Sequence, residues 1–244
     1  MGANPSLPGI MATWSDEEGV RELMDDPRAT PMARALAEDS VAARDPLSAG
    51  PRLRQGLVPR PDPGHAELRR LRIGIALRRL QTWEAREVLA AVVEDPDLGV
   101  RVGLAAELAR FGDGMVLDLL PRLARSTQPE PVLRAVLAGV REHMGRLPAE
   151  RVVAVLKPLE SASPAMARAV PAMWLELSRV HPGVAETARA ACEAGSRDAG
   201  RPAEARAASE EALLGFEDVT VASTSESAGV WRAFRAWFGV QNSR

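Results

Sequence analysis

Between residues 66 and 194 the chain repeats a pair of apolar-faced segments about every 33 residues. Apolar residues recur within each segment at spacings of three and four, which is typical of α-helices, and proline, glycine and aspartate separate the segments. Dividing the chain at these separators predicts eight helices in four pairs, which are 66–80 with 84–94, 98–110 with 114–125, 131–145 with 149–160, and 164–180 with 183–194. A helical hairpin of this length cannot bury its apolar face alone. We therefore expect the four hairpins to stack side by side into a short α-solenoid with a continuous core.

Composition agrees with a helical fold and excludes several other classes. Aromatic residues make up 4% of the 244 residues and tyrosine is absent, so a strand-rich sandwich or barrel lacks its usual residues. The fold class that we predict is all-α. The formal charge of −2 argues against a general nucleic-acid or anionic-membrane binder. No apolar run approaches the roughly 20 residues that cross a bilayer, and the lone Cys192 forms no internal disulfide, so we expect a cytoplasmic protein.

One predicted helix carries a recognisable repeat motif. Within residues 95–113, an acid and an arginine at the helix start precede small residues and a closing Gly-Asp pair: Asp97, Val100, Arg101, Gly103, Ala105, Ala106, Leu108, Gly112 and Asp113. This stretch resembles the first helix of a HEAT repeat, of the armadillo-type helical superfamily. The resemblance covers roughly residues 66–194 and implies a HEAT-like helical repeat domain. In that family the acid and the arginine lie near the hairpin turn and help to hold adjacent repeats in register.

The arginine of this motif recurs in all four first helices, but the acid does not. The arginines follow one another at steps of 32, 33 and 34 residues: Arg69, Arg101, Arg134 and Arg168. Glu130 rather than aspartate precedes Arg134, and Ser163-Pro164 precedes Arg168 with no acid in register. The resemblance therefore implies a stacking ladder that is incomplete in the later repeats.

Residues 1–65 differ in composition from the repeat and predict a separate N-terminal segment. A short helix is predicted after Ser15, and a second one near 31–43. The stretch from 45 to 64 holds five prolines, which neither continue a helix nor pair in a sheet. We expect this stretch to be a linker and the N-terminal segment to be largely flexible.

Residues 195–244 form a tail whose last part concentrates the aromatic residues. A helix is predicted from about Pro202 to Gly215, and four of the nine aromatic residues fall within eight residues beyond it. As an amphipathic helix, this end places aromatic side chains on one face and arginines toward the other. The candidate partner-binding residues are Trp231, Phe234, Trp237, Phe238, Arg232 and Arg235. Three destinations stay open for the apolar face: the groove of its own solenoid, a groove on another protein, or a membrane interface.

The helix predicted over 66–80 carries a stripe of arginines, of which Arg69, Arg72 and Arg79 fall on one side. Such a stripe can grip phosphates or an acidic partner, because the guanidinium group pairs with both. The alternative interpretation is a solvated outer face of the terminal repeat, which has to be polar for the protein to stay soluble. We include these three arginines among the candidate partner-binding residues.

Signals for catalysis are weak throughout the sequence. The three histidines form no spaced ligand pair and Cys192 has no histidine near it, so we expect no catalytic residue, no metal and no cofactor. We expect a non-enzymatic module that binds another protein as a scaffold, adaptor or regulatory subunit. Two alternatives stay open: a HEAT-like enzyme accessory such as a pigment lyase or cofactor chaperone, and a nucleic-acid binder that uses the stripe from Arg69 to Arg79.

Overall fold

The computed structural model describes residues 17–60 and 64–216, and within these ranges it contains twelve α-helices and no strand. The helices are α1 Glu17–Asp25, α2 Pro31–Arg44, α3 Pro46–Gly56, α4 His65–Arg79, α5 Thr82–Ala90, α6 Leu98–Phe111, α7 Leu120–Leu123, α8 Glu130–Glu142, α9 Ala149–Leu159, α10 Pro164–Val180, α11 Ala185–Arg197 and α12 over 203–216. Short 3-10 segments at Ala91–Glu94, Gly114–Leu119 and Pro182–Val184 adjoin α5, α7 and α11. The all-α prediction is confirmed.

The eight helices predicted between 66 and 194 are all present. The second member of the second pair differs most from its prediction, because Gly114–Leu119 is a 3-10 segment and the α-helix that follows is only four residues long. Pro121 falls in the first turn of that helix, where its missing N–H is not needed. The helix predicted from about Pro202 corresponds to α12.

The predicted linker is wrong over its first part, because Pro46–Gly56 forms helix α3. Pro46 is the first residue of this helix. A backbone N–H at that position has no acceptor within the helix, so the missing N–H of proline costs no hydrogen bond there. The backbone N–H of Ser48 donates to Asp45 Oδ1 at 3.3 Å and caps the same end. The proline that suggested a linker therefore begins a helix.

Pro51 lies inside α3 and removes one internal hydrogen bond. Burial offsets this loss, because Ala49 and Leu53 on the same helix are 2% and 0% exposed. Tertiary packing thus stabilises a helix that the local sequence disfavours. With α2 it makes one more hairpin, N-terminal to the four that the sequence predicts.

The described residues fall into two compact units, divided after His143. In the first unit, α2, α4, α6 and α8 pack against one another in series and form one layer. A second layer consists of α3, α5 and the segment Gly114–Leu119, which also pack in series. This arrangement is compatible with an α-solenoid, in which each hairpin contacts mainly the hairpins before and after it.

Helix α1 covers one end of this series. It packs on α2, and Val20 and Met24 of α1 form an apolar cluster with Ala37 and Val41 of α2. At the other end α6 and α8 approach closely at Gly139, where a Cβ would lie 2.7 Å from that of Ala109. Glycine is required at this crossing because any side chain would push the two helices apart.

The second unit contains α9 to α12 among the described residues, with α10 at its centre. Trp174 on α10 is fully buried and donates its indole N–H to Glu160. Arg201, before α12, donates to the second carboxylate oxygen of Glu160 at 3.0 Å. Helix α12 buries one face, and Gly215 on it lies against Leu175 of α10.

We predict that Leu53→Ala in α3 lowers the free energy of unfolding by about 2–5 kcal/mol, because it removes a fully buried side chain and leaves a cavity. Leu47→Ala is the matched control on the same helix, since Leu47 is 92% exposed and its truncation changes stability by less than about 0.5 kcal/mol. Urea unfolding followed by far-ultraviolet circular dichroism measures both variants. Equal, small effects of the two substitutions would mean that residues 46–56 act as a linker.

Candidate functional site

Arg72, one of the three arginines in the predicted stripe, is directed into the protein rather than to its surface. It is 8% exposed, and its Nε donates to Glu38 Oε2 at 2.6 Å. Its Nη1 donates to the carbonyl oxygen of Gly56 at 2.7 Å. Gly56 permits this approach, because a Cβ there would lie 2.6 Å from the guanidinium carbon. These two hydrogen bonds of Arg72 join α4 to α2 and to the end of α3.

Arg69, one turn earlier on α4, is buried in the same way. It is 3% exposed, forms an ion pair with the buried Asp95, and donates from Nε to the carbonyl oxygen of Leu57 at 3.1 Å. Burial lowers the pKa of Arg69 from its usual high value. Asp95 lies in the turn before α6, so this pair ties α4 to the next hairpin.

A second contact repeats this geometry one hairpin later. Arg101 on α6 donates to Gln128 in the turn before α8 at 3.0 Å, and Gln128 donates from its side-chain nitrogen to the carbonyl oxygen of Val93 at 3.1 Å. Each arginine therefore reaches the turn that precedes the following first-layer helix. Asp97, the acid in the repeat motif, instead accepts from Val100 N at 3.0 Å and caps α6.

Arg79 is the one of these three arginines that reaches the surface. It forms a two-pronged pair with Asp39 of α2, with Nε and Nη2 at 2.9 and 3.0 Å from the two carboxylate oxygens. The hydrogen bond from Arg79 lowers the pKa of Asp39. The interpretation of the stripe as a solvated face is thus wrong for Arg69 and Arg72, and partner binding by the three arginines stays a prediction.

Three large apolar side chains are exposed at equivalent positions of the second layer. Leu47, Trp83 and Met115 are each the second residue of their element, in α3, α5 and Gly114–Leu119 respectively. Their exposed fractions are 92%, 57% and 51%. We call these three residues the apolar row.

Close contacts show that the three elements that carry the apolar row are adjacent at their first turns. A Cβ at Gly50, one turn after Leu47, would collide with the carboxylate of Glu84, the residue that follows Trp83. A Cβ at Gly114 would lie 3.3 Å from the methyl group of Thr82. The first turns of the three elements therefore lie side by side along one edge of the second layer.

An apolar pocket of about 250 Å³ lies toward the other end of α3 and α5. Its apolar lining consists of Leu57, Val58, Pro59, Val88, Ala91, Val92 and Pro96. Arg54 and Glu87 form an ion pair of 3.0 Å at the pocket. The row and the pocket together give the second layer exposed apolar surface at both ends of α5.

The sequence alone does not predict this surface. Trp83 lies just before the helix predicted over 84–94 and Leu47 lies inside the predicted linker, so the sequence assigns neither residue to a helix face. The signal that could have found them is an apolar residue one position after the start of each second-layer element, at steps of 36 and 32 residues.

The single cysteine of the chain, Cys192, is buried. Burial raises the pKa of Cys192 to about 12, so its sulfur is a protonated, weakly nucleophilic thiol at neutral pH. No group of three or more His, Cys, Asp or Glu side chains within 17–60 and 64–216 is placed to hold a metal ion. No helix in these ranges is both long and apolar enough to cross a membrane.

The remaining predicted site residues, which are Trp231, Arg232, Phe234, Arg235, Trp237 and Phe238, lie outside the described residues. The amphipathic C-terminal helix and its three destinations therefore stay predictions. No protein-family model, no curated protein and no solved structure matches this chain. The choice of a functional surface accordingly rests on geometry.

We predict that Arg72→Ala lowers the free energy of unfolding by about 3–5 kcal/mol, because Glu38 is left buried without its counter-charge. Arg79→Ala, which removes an exposed pair on the same helix, costs at most about 1 kcal/mol. Thermal and urea unfolding measure both.

A double variant separates the pairing from other effects of the substitution. Arg72→Met with Glu38→Leu removes both charges together, so we expect it to recover most of the stability that Arg72→Ala loses. A single Arg72→Ala variant as stable as the wild type would show that the pair does not hold α4 in place.

Proposed function

We propose that this chain is a non-enzymatic, HEAT-like helical repeat protein that binds another protein as a scaffold, adaptor or regulatory subunit. The observation that carries the proposal is the apolar row, in which Leu47, Trp83 and Met115 are exposed at one register of three consecutive elements. Single exposed apolar residues are ordinary on protein surfaces. Neighbouring ones on adjacent elements form a patch, and such patches mark interaction sites.

Trp83 is the residue on which we expect the binding energy to concentrate. Tryptophan is enriched at the energetic centres of protein interfaces, because a large rigid ring buries much area at a small entropic cost. Trp83 occupies the middle of the row, between Leu47 and Met115. It can therefore contact a partner together with either neighbour.

The partner that fits this surface is an amphipathic helix with large apolar side chains and at least one basic residue. The apolar pocket accepts an aliphatic or aromatic side chain, and the row covers the rest of an apolar face. Glu84, beside Trp83, has no ion-pair partner among the described residues, so it favours a basic group on the partner. The rim pair of Arg54 and Glu87 supplies further polar contacts.

The two alternatives from other classes have less support from the described residues. Binding to nucleic acid through the stripe from Arg69 to Arg79 requires guanidinium groups that reach phosphates, and two of its five arginines are enclosed by their own partners. Two more, Arg78 and Arg79, share Asp39, which leaves Arg70 as the exposed arginine without a carboxylate partner among the described residues. A pigment lyase or cofactor chaperone requires a ligand-sized pocket with convergent polar groups. The apolar pocket, at the opposite end of α5 from the apolar row, is lined mainly by aliphatic residues.

We predict that Trp83→Ser with Met115→Ser weakens binding of the partner at least tenfold, because the two substitutions remove most of the exposed apolar area of the row. The partner is first captured with the wild-type chain, then purified and titrated calorimetrically against each variant. Leu214→Ser is the matched control, since Leu214 is 68% exposed on α12 and belongs to the second unit. Thermal unfolding of both variants should stay close to that of the wild type.

A third variant tests the C-terminal helix. If the predicted C-terminal helix contributes to partner binding or to stability, Trp231→Ala with Phe234→Ala abolishes binding or lowers the unfolding temperature. If binding and unfolding are both unchanged, the predicted helix contributes to neither.

If the Trp83/Met115 variant binds the partner as tightly as the Leu214 variant does, the proposal for the apolar row is wrong.

A further inference from the structure

A polar cleft of about 310 Å³ opens in the first unit where α1, α2, α3 and α4 meet. Arginines line it from four places in the chain: Arg34 on α2, Arg52 on α3, Arg60 just beyond α3, and Arg72 on α4. We call it the arginine cleft. It shares no lining residue with the apolar pocket, so it is a separate site from the proposed protein-binding surface.

Two of the four arginines are already engaged by the protein. Arg72 is paired with Glu38, which also lines the cleft. Arg52 donates from Nε to the carbonyl oxygen of Ser48 at 3.3 Å and lies 3.6 Å from a carboxylate oxygen of Asp45. Their positions are therefore fixed by the fold before any ligand arrives.

The other two arginines, Arg34 and Arg60, have N–H donors that no described protein group accepts. Arg34 uses its Nε to donate to the carbonyl oxygen of Met24 at 3.1 Å, and its two Nη nitrogens have no partner among the described residues. Arg60 is exposed at the cleft and has no protein partner within the same part of the chain. Together these two guanidinium groups carry about nine N–H donors that a ligand can engage, because each arginine has five and Arg34 uses one of its own.

The charge balance of the cleft favours an anion. Its lining holds four arginines against two carboxylates, Asp25 and Glu38, which leaves an excess of two positive charges. Counting Asp45, the partner of Arg52, reduces that excess to one. An anion is thus attracted to a partly enclosed site in which its interactions are less screened than at an open surface.

His65 lines the cleft without adding to this charge at neutral pH. Its Nε2 lies 2.9 Å from the carbonyl oxygen of Val58. Burial lowers the pKa of His65, and the nearby Arg72, Arg69 and Arg60 lower it further. The positive potential of the cleft therefore comes from its arginines.

We propose that the arginine cleft binds the phosphate group of a small phosphate monoester. Guanidinium groups that converge from separate elements suit a tetrahedral anion, which presents oxygens in several directions, better than a planar carboxylate that one arginine satisfies. Arg34 and Arg60 supply the free donors. The volume of the cleft is enough for a phosphate with a small organic group attached.

The experiment is isothermal titration calorimetry on the full-length chain with three probes: inorganic phosphate, glycerol 3-phosphate and succinate. We expect saturable one-to-one binding of the two phosphates, with succinate at least tenfold weaker. Tighter binding of glycerol 3-phosphate than of inorganic phosphate indicates that the cleft also accepts the organic part. Equal binding of the two indicates that the phosphate group alone is recognised.

The variants locate the binding. Arg60→Gln removes an exposed, unpaired arginine and should weaken phosphate binding at least fivefold without changing thermal unfolding. Arg34→Gln with Arg60→Gln should reduce the affinity for phosphate more than tenfold. Arg125→Gln, which makes the same charge change on an exposed residue of the same unit away from the cleft, is the control and should change it less than twofold.

Three outcomes would overturn the proposal. They are no saturable binding of either phosphate to the wild-type chain, equal binding to the wild type and the double variant, and tighter binding of succinate than of the phosphates. None of these depends on the apolar row, so the partner-binding proposal stands or fails separately.

Discussion

The first unit depends on two buried arginines of one helix that point in opposite directions along the repeat. Arg72 reaches back to Glu38 in the preceding hairpin, and Arg69 reaches forward to Asp95 before the next one. A buried charge without its partner costs several kcal/mol, so α4 is stable only where both neighbours supply their carboxylates. Because each pair joins particular residues of neighbouring hairpins, we expect the two pairs to help fix the register of the hairpins.

This constraint also determines which surfaces are left for binding. Arg69 and Arg72 turn inward, so only the other three arginines of α4 are exposed, and two of those, Arg78 and Arg79, lie beside Asp39. The surfaces that we propose for binding lie in the apolar row of the second layer and in the cleft where α1 meets the first two hairpins. The first suits a partner with an apolar face, and the second suits a compact anion.

The sequence predicted helices well and the environment of individual side chains poorly. Spacing of apolar residues located all eight helices of the repeat, because that spacing reflects one buried face for each helix. It failed over Pro46–Gly56, where proline content outweighed the buried positions of Ala49 and Leu53. Proline is disfavoured in a helix interior but tolerated in its first turn, and the sequence alone does not show where that turn begins.

What the sequence determined by itself was the fold class, the helical pairs and their period of about 33 residues. Those features follow from local patterns that each hairpin carries in its own residues. Only the tertiary structure decided the partners of Arg69 and Arg72. The partner of Arg69 lies 26 residues later in the chain, and the partner of Arg72 lies 34 residues earlier. It likewise decided which apolar residues stay exposed and which arginines share a cleft. Such pairings depend on how the hairpins stack. The residue pattern of a single helix does not show which neighbouring helix will pack against its polar side.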